Sequence, residues 1–218
     1  MVRPAQIEAG QIVVLNGPPR SGKSSIATAI QDRFDGPWMN LGVDVFARAV
    51  TPPRYRPGIG LRPGGERPEI EALVPVFYAA MYESVAAHSG LGLNVVVDVG
   101  HHDAYSTPKH ILFDVARRLA GLPAFLIGVR CPVEAIMQRR NAGEPGREGQ
   151  YVTTTPEGEV PEAVLRWERA VHDPGIYDLN VDTSVLSPAQ GAAVIRARIH
   201  SGAPPTAFRQ LANQAPLT

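Results

Sequence analysis

The residues Gly17-Pro18-Pro19-Arg20-Ser21-Gly22-Lys23-Ser24 fit the pattern G-x-x-x-x-G-K-[S/T], and both flanks agree with it. Ile12-Val13-Val14-Leu15 is an apolar run of strand length, and the residues after the motif repeat Ile26, Ile30 and Phe34 at helical spacing. A strand, a glycine-rich turn and a helix in that order predict a phosphate-binding loop. The turn aims backbone N–H groups inward, and the helix adds the positive end of its dipole. In such a loop Lys23 reaches the β- and γ-phosphates of a nucleotide, and the Ser24 hydroxyl ligates Mg²⁺. Gly17, Pro18, Pro19, Arg20, Ser21, Gly22 and Ser25 complete the expected cradle. The cofactors this predicts are ATP and Mg²⁺.

The rest of the chain repeats the alternation. Apolar runs at 11–16, 38–43, 93–99, 124–130 and 176–181 read as five strands. Between them lie helical stripes: Ile70, Leu73, Val74, Phe77, Met81 and Val85, then Ile111, Leu112, Val115 and Leu119 behind Pro108. Ser187-Pro188 has the chemistry of an N-cap followed by proline at the first helical position, opening a last helix through Ile199. Strands alternating with helices predict a mainly parallel sheet covered on both faces, a three-layer α/β/α sandwich. At 218 residues the chain predicts one domain, over 1–200. A Pro- and Gly-rich loop at 51–69 and a polar, Gly-rich lid at 139–158 interrupt it, and 201–218 reads as a mobile tail.

Composition narrows the class. The formal net charge is zero, which removes the cationic excess a nucleic-acid binder needs to displace counterions. No apolar stretch approaches the ~18 residues of a membrane span, and the N-terminus lacks an apolar signal core, so the cytoplasm is the default address. The single Cys131 excludes an intramolecular disulfide and a cysteine-based zinc site. It reads as a buried small hydrophobe or, alternatively, a reactive thiol. Nothing in the sequence excludes a homo-oligomer.

Ligands of parallel sheets bind beyond the carboxyl ends of the strands, so the residues closing each strand are the candidates. The second strand closes Leu41-Gly42-Val43-Asp44. Asp44 is placed to orient an acceptor hydroxyl and take its proton, or to cap the next helix. The third closes Val95-Val96-Val97-Asp98-Val99, with Asp98 holding Mg²⁺ or touching substrate. His101 and His102 follow, either as substrate contacts or in a solvated turn; adjacent residues diverge too much to make a zinc site with Asp103. Arg139, Arg140 and Arg147 bracket the lid, where an arginine stabilises charge on a transferring phosphoryl group or stacks on the base. Arg54, Arg56, Arg62 and Arg67 decorate the first loop, where they recognise an anionic group or keep the loop solvated.

Taken in order, Leu15-Asn16-Gly17 with the phosphate loop, Gly42-Val43-Asp44, Val129-Arg130-Cys131 and Tyr177-Asp178-Leu179-Asn180-Val181-Asp182-Thr183 resemble the chloramphenicol phosphotransferase-like proteins. The resemblance runs from about residue 11 to 199. It implies ATP-dependent phosphorylation of a hydroxyl on a small molecule, on a P-loop fold akin to the nucleoside monophosphate kinases. It implies that Asp44 is the base and that 17–24 bind phosphate. The chloramphenicol enzyme has a second acid directly after the one matching Asp98, where this chain has Val99-Gly100-His101-His102. Three functions follow: an O-phosphotransferase acting on an antibiotic such as chloramphenicol, a nucleoside, nucleotide or metabolite kinase, or a non-catalytic nucleotide-binding switch. Substrate contacts are expected from Asp44, Asp98, His101, His102 and Arg54, and catalysis from Asp44, Lys23, Arg139 and Arg140.

Overall fold

The computed structural model describes residues 8–64, 67–143 and 151–214. Five parallel strands form one sheet in the order β2-β3-β1-β4-β5: β1 Ile12–Asn16, β2 Trp38–Asn40, β3 Asn94–Val99, β4 Ala124–Arg130 and β5 Leu179–Asp182. β1 is central and every one of its residues is buried, which is why its sequence is an unbroken apolar run ending in Asn16. The predicted sandwich and five-strand sheet are present.

Helices cover both faces. α1 Lys23–Arg33 and α8 Pro188–His200 pack on one side, with Ile26, Ile30, Phe125, Ile127 and Ile195 in a common core. α4 Val74–Gly90 and α5 Ile111–Arg118 cover the other, where Met81, Tyr82, Val85 and Val115 meet Val14, Val95 and Val97. α8 opens as its sequence predicts: Ser187 Oγ accepts from Gln190 N, and the Gln190 side chain returns to the Ser187 N–H. The apolar stripe predicted from Ile70 to Val85 is two helices, α3 Pro68–Glu71 and α4, separated by a turn. The short α2 Val43–Val45, running into a π-helical turn at Phe46–Val50, follows β2. α6 Val133–Asn141 and α7 Glu162–Val171 flank the lid segment.

The segment read as a mobile tail behaves differently. Residues Ala207–Gln214 form helix α9, with Ala207, Phe208 and Leu211 buried against the α4–α5 core. Its start is fixed from a distance: the fully buried Asp178 carboxylate accepts from the N–H groups of Thr206 and Ala207 with one oxygen and from Leu126 N with the other. Two prolines before α9 and a short apolar pattern hid this docking from the sequence.

The described part of the predicted 51–69 loop is irregular, as its prolines and glycines predict, but not loose, and it ends where α3 begins at Pro68. Two 3-10 turns, Pro53–Tyr55 and Gly58–Gly60, carry Ile59 and Leu61 into the core, and Tyr78 Oη donates to Ile59 O at 3.0 Å. Cys131 is buried beside Ile136, Met137 and Val164, as a small hydrophobe.

Candidate active site

The loop at 17–24 leaves β1 and enters α1 through two left-handed residues, Arg20 at φ 73° and Gly22 at φ 93°. Gly17 is required by space: a Cβ there would lie 2.5 Å from Val129 O. Lys23 Nζ donates to Pro18 O at 2.8 Å across the turn. Thr183, just past β5, braces the loop by donating its hydroxyl to Ser21 O at 2.7 Å. Arg139 donates to Arg20 O and to both oxygens of Thr183, and Arg20 returns a bond of 2.6 Å to Arg139 O. The loop is therefore tied to α6 and to the end of β5 as one unit.

The carboxyl ends of β2 and β3 converge on this loop. Gly42 permits the approach, since a Cβ there would meet Asp98 Oδ1 at 1.7 Å. Asp98 Oδ2 accepts the Ser24 hydroxyl proton at 2.6 Å. Asp44 stands in the first turn of α2, after the Gly42 cap position, so the helix-capping alternative does not describe it. Arg48 lies 3.7 Å from its carboxylate. Burial lowers the Lys23 ammonium to about 8, against the opposing attraction of Asp98 and Asp44, so both carboxylates act on this one cation.

These groups share a cleft of about 850 Å³. Gly17, Pro19, Arg20, Gly22, Lys23, Ser24 and Ser25 of the loop border it, together with Asp98, Arg139 and Arg140. Asp44, Arg48, Arg56, Arg62 and Trp167 also border the cleft. Pro18 and Ser21 support the loop from behind, Ser21 being fully buried. Arg140 is buried, its guanidinium 5.5 Å over the Tyr151 ring, and Arg20 lies at the same distance from that ring. Arg147 lies outside the described residues.

Three expected substrate residues are not at the cleft. His101 is buried 3 % exposed, with Nε2 2.7 Å from Tyr82 Oη, and burial together with His102 holds its ring down to about 3. A neutral, enclosed imidazole packed between tyrosines serves the core rather than a ligand. His102 is also buried, bonded through Nε2 to Leu61 O and packed against Tyr105 and Trp167. The Arg54 guanidinium lies 4.7 Å over the ring of Tyr55 and does not border the cleft. Asp103 caps the turn before α5 through the N–H groups of Lys109 and His110. Among the described residues, no three His, Cys, Asp or Glu side chains group as a metal site.

The profile of the family described as chloramphenicol phosphotransferase-like protein matches residues 10–200. The chain belongs to the chloramphenicol phosphotransferase-like family. Among the relatives of this family member is a Mycobacterium tuberculosis (strain H37Rv) protein named as a candidate O-phosphotransferase, 26% identical over 227 residues, covering 95% of this chain and 90% of that one. Solved structures with the same fold include the M. tuberculosis APS kinase in complex with AMPPNP and APS, at TM-score 0.59 and 16% identity over 88% of this chain and 98% of that one. Another is the Deinococcus radiodurans tunicamycin resistance protein, at TM-score 0.55 and 17% identity over 88% and 96%. This chloramphenicol phosphotransferase-like chain is a small-molecule kinase of the P-loop type. No helix among its described residues is long and apolar enough to cross a membrane.

Trp167, Arg48 and Thr183 are cleft residues that motif reasoning did not single out as site residues. Trp167 rides on α7, a helix without a distinct sequence signal. Thr183 was available, since it closes the Val181-Asp182-Thr183 strand end.

Proposed function

We propose that the protein transfers the γ-phosphoryl group of ATP to a hydroxyl of a small molecule, with Asp44 orienting that hydroxyl and receiving its proton. The observation that carries this reading is the convergence of Asp44 and Asp98 on Lys23 at the mouth of the phosphate loop. The hydroxyl oxygen forms a bond to the γ-phosphorus, the bond from that phosphorus to the β,γ-bridging oxygen breaks, and ADP leaves. The acceptor proton passes to the Asp44 carboxylate late in a loose transition state.

Ser24 Oγ and Asp98 Oδ2, already 2.6 Å apart, are the oxygen pair suited to Mg²⁺. One hydroxyl and one carboxylate, completed by phosphate oxygens, is the hard-oxygen set that Mg²⁺ takes in such sites. When bound, the ion neutralises charge on the β- and γ-phosphates. Lys23 and the loop N–H groups bind the same phosphates. Arg140, held over the lid residue Tyr151, is positioned to meet charge on the transferring group. Arg139 is spent on Arg20 O and Thr183 and acts by keeping the loop in shape.

An antibiotic acceptor draws its support from the family and from the fold of a tunicamycin resistance protein. A chloramphenicol-like acceptor is one arm of the test. Asp44→Asn should lower the rate of transfer by about 10²–10⁴-fold while leaving nucleotide affinity within twofold, read by coupled ADP release and by calorimetry. Full transfer by Asp44→Asn would remove it as the base.

A further inference from the structure

Asn16 and Tyr177 belong to the stretches that carry the family resemblance, yet neither borders the cleft. They are bonded to each other. Asn16 closes β1 one residue ahead of the phosphate loop, and only 1% of it is exposed. Its carboxamide uses its oxygen and both N–H donors: Oδ1 accepts from His101 N at 2.8 Å, and Nδ2 donates to Val171 O at 2.8 Å and to Tyr177 Oη at 3.0 Å. A backbone N–H only donates and a carbonyl only accepts, so the amide has a single orientation. One buried side chain thus fastens the end of β3, the last residue of α7 and the turn before β5 beside the loop. An apolar residue at position 16 would fill the core as the four before it do, and a carboxamide is needed only for these bonds.

Tyr177 reaches Asn16 because Gly128 leaves room. Gly128 is the β4 neighbour of Asn16, and a Cβ there would lie 3.0 Å from the Tyr177 ring. The Tyr177 hydroxyl proton has His172 Nδ1 as its acceptor at 2.8 Å. Burial, with Arg130 and Lys23, holds that imidazole down to about 4, so it stays neutral and able to accept. From Val171 the helix α7 leads back to the cleft. Trp167, one turn earlier on the same buried face, borders it. A Cβ on Gly100 would lie 3.0 Å from the Trp167 ring and 3.2 Å from Gly17 O, so the ring and the first residue of the phosphate loop flank the same glycine. His102 packs edge-on against that ring, 5.0 Å between centroids.

Resting on the kinase reading, we infer that Asn16 and Tyr177 are positioning residues for phosphoryl transfer, which hold α7 and its Trp167 in a fixed relation to the phosphate loop so that phosphate bound in the loop is felt at Trp167. The link is short. Gly17 follows Asn16 in the chain, and the bond from Lys23 to Pro18 O is the one for which a nucleotide's phosphates compete. A loop that adjusts around phosphate pulls on the Asn16 carboxamide, whose bonds, made in a buried site, have no water to exchange with. A misplacement of ~1 Å, even from a change far from the chemistry, costs about 10²-fold in rate, so a rigid tie between loop and cleft wall bears directly on transfer.

The test uses the whole protein labelled with fluorotryptophan. Its two tryptophans, Trp38 and Trp167, give two fluorine NMR signals, assigned with Trp167→Phe. Trp38 lies in the core shared by α1 and α8 and serves as the control. MgAMPPNP is titrated in, with its affinity measured by calorimetry; no binding by the parent would overturn the kinase reading and the inference with it. Binding is expected to shift the Trp167 signal of the parent. In Tyr177→Phe, which removes one oxygen, affinity should stay within about twofold while most of the Trp167 shift is lost. Asn16→Asp, which keeps the accepting oxygen and loses both donors, should lose the shift as well. An unchanged Trp38 signal reports that each variant is folded, and Tyr177→Phe decides if Asn16→Asp is not. A Trp167 shift that is absent from the parent, undiminished in Tyr177→Phe, or lost there only because nucleotide no longer binds would overturn the positioning role while leaving the kinase reading standing.

Discussion

Lys23 carries an ammonium that its buried surroundings disfavour. Burial lowers it from 10.5 to about 8, with the pull of Asp98 and Asp44 insufficient to offset desolvation. A triphosphate binds the charged form, so nucleotide affinity should fall as pH rises through about 8, measured by calorimetry across that range. Affinity unchanged up to pH 10.5 would contradict the depressed ammonium. For stability the sign is opposite. The unfolded chain holds this proton more tightly than the folded one, so the cost to folding is complete below pH 8 and lifts between 8 and 10.5. Lys23→Met should therefore melt at a higher temperature than the nucleotide-free parent at pH 7, while losing nucleotide binding. A lower melting temperature would contradict this. The strand-end acids Asp44 and Asp98 were legible because a parallel sheet presents its carboxyl ends to ligands. His101 and His102 were not, since two or three residues past a strand end the backbone can turn either way. Here Asn16 Oδ1 accepts from His101 N at 2.8 Å and fixes the turn inward.

At the scale of elements, α9 offers the sharpest contrast between sequence and structure. Its Phe208 and Leu211 enter a core built by α4 and α5, and its N-terminal N–H groups are satisfied by Asp178, 28 and 29 residues earlier in the chain. Phe208→Ala should cost about 3–5 kcal/mol of stability in urea unfolding, with nucleotide affinity unchanged because α9 does not border the cleft. A cost under about 0.5 kcal/mol, the usual scale for an exposed position, would mean that the helix is not docked. The strands were legible as apolar runs because burial on both faces leaves no polar alternation to obscure them. The segment before β5 shows the limit: the apolar pair Ile176-Tyr177 read as strand, yet Tyr177 Oη bonds to Asn16 and His172, and the strand begins at Leu179. Apolar character alone does not separate a strand from the packed turn that precedes it.

The whole molecule joins an electroneutral chain to a cationic cleft, and that distribution was invisible in composition because the fold brings together residues from four separated stretches. The chain that closes β2 and β3 brings Asp44 and Asp98 into the same cleft as the phosphate loop, Asp98 bonded to Ser24. This arrangement supports the central proposal, that the protein phosphorylates a hydroxyl with Asp44 as its base. The most direct test incubates the protein with ATP and Mg²⁺ against neutral and anionic hydroxylated compounds, chloramphenicol included, and reads products by mass spectrometry. The account predicts a product heavier by one phosphoryl group, formed by the parent and about 10²–10⁴-fold more slowly by Asp44→Asn. Hydrolysis of ATP without any adduct, or the same adduct at the same rate from Asp44→Asn, would contradict it.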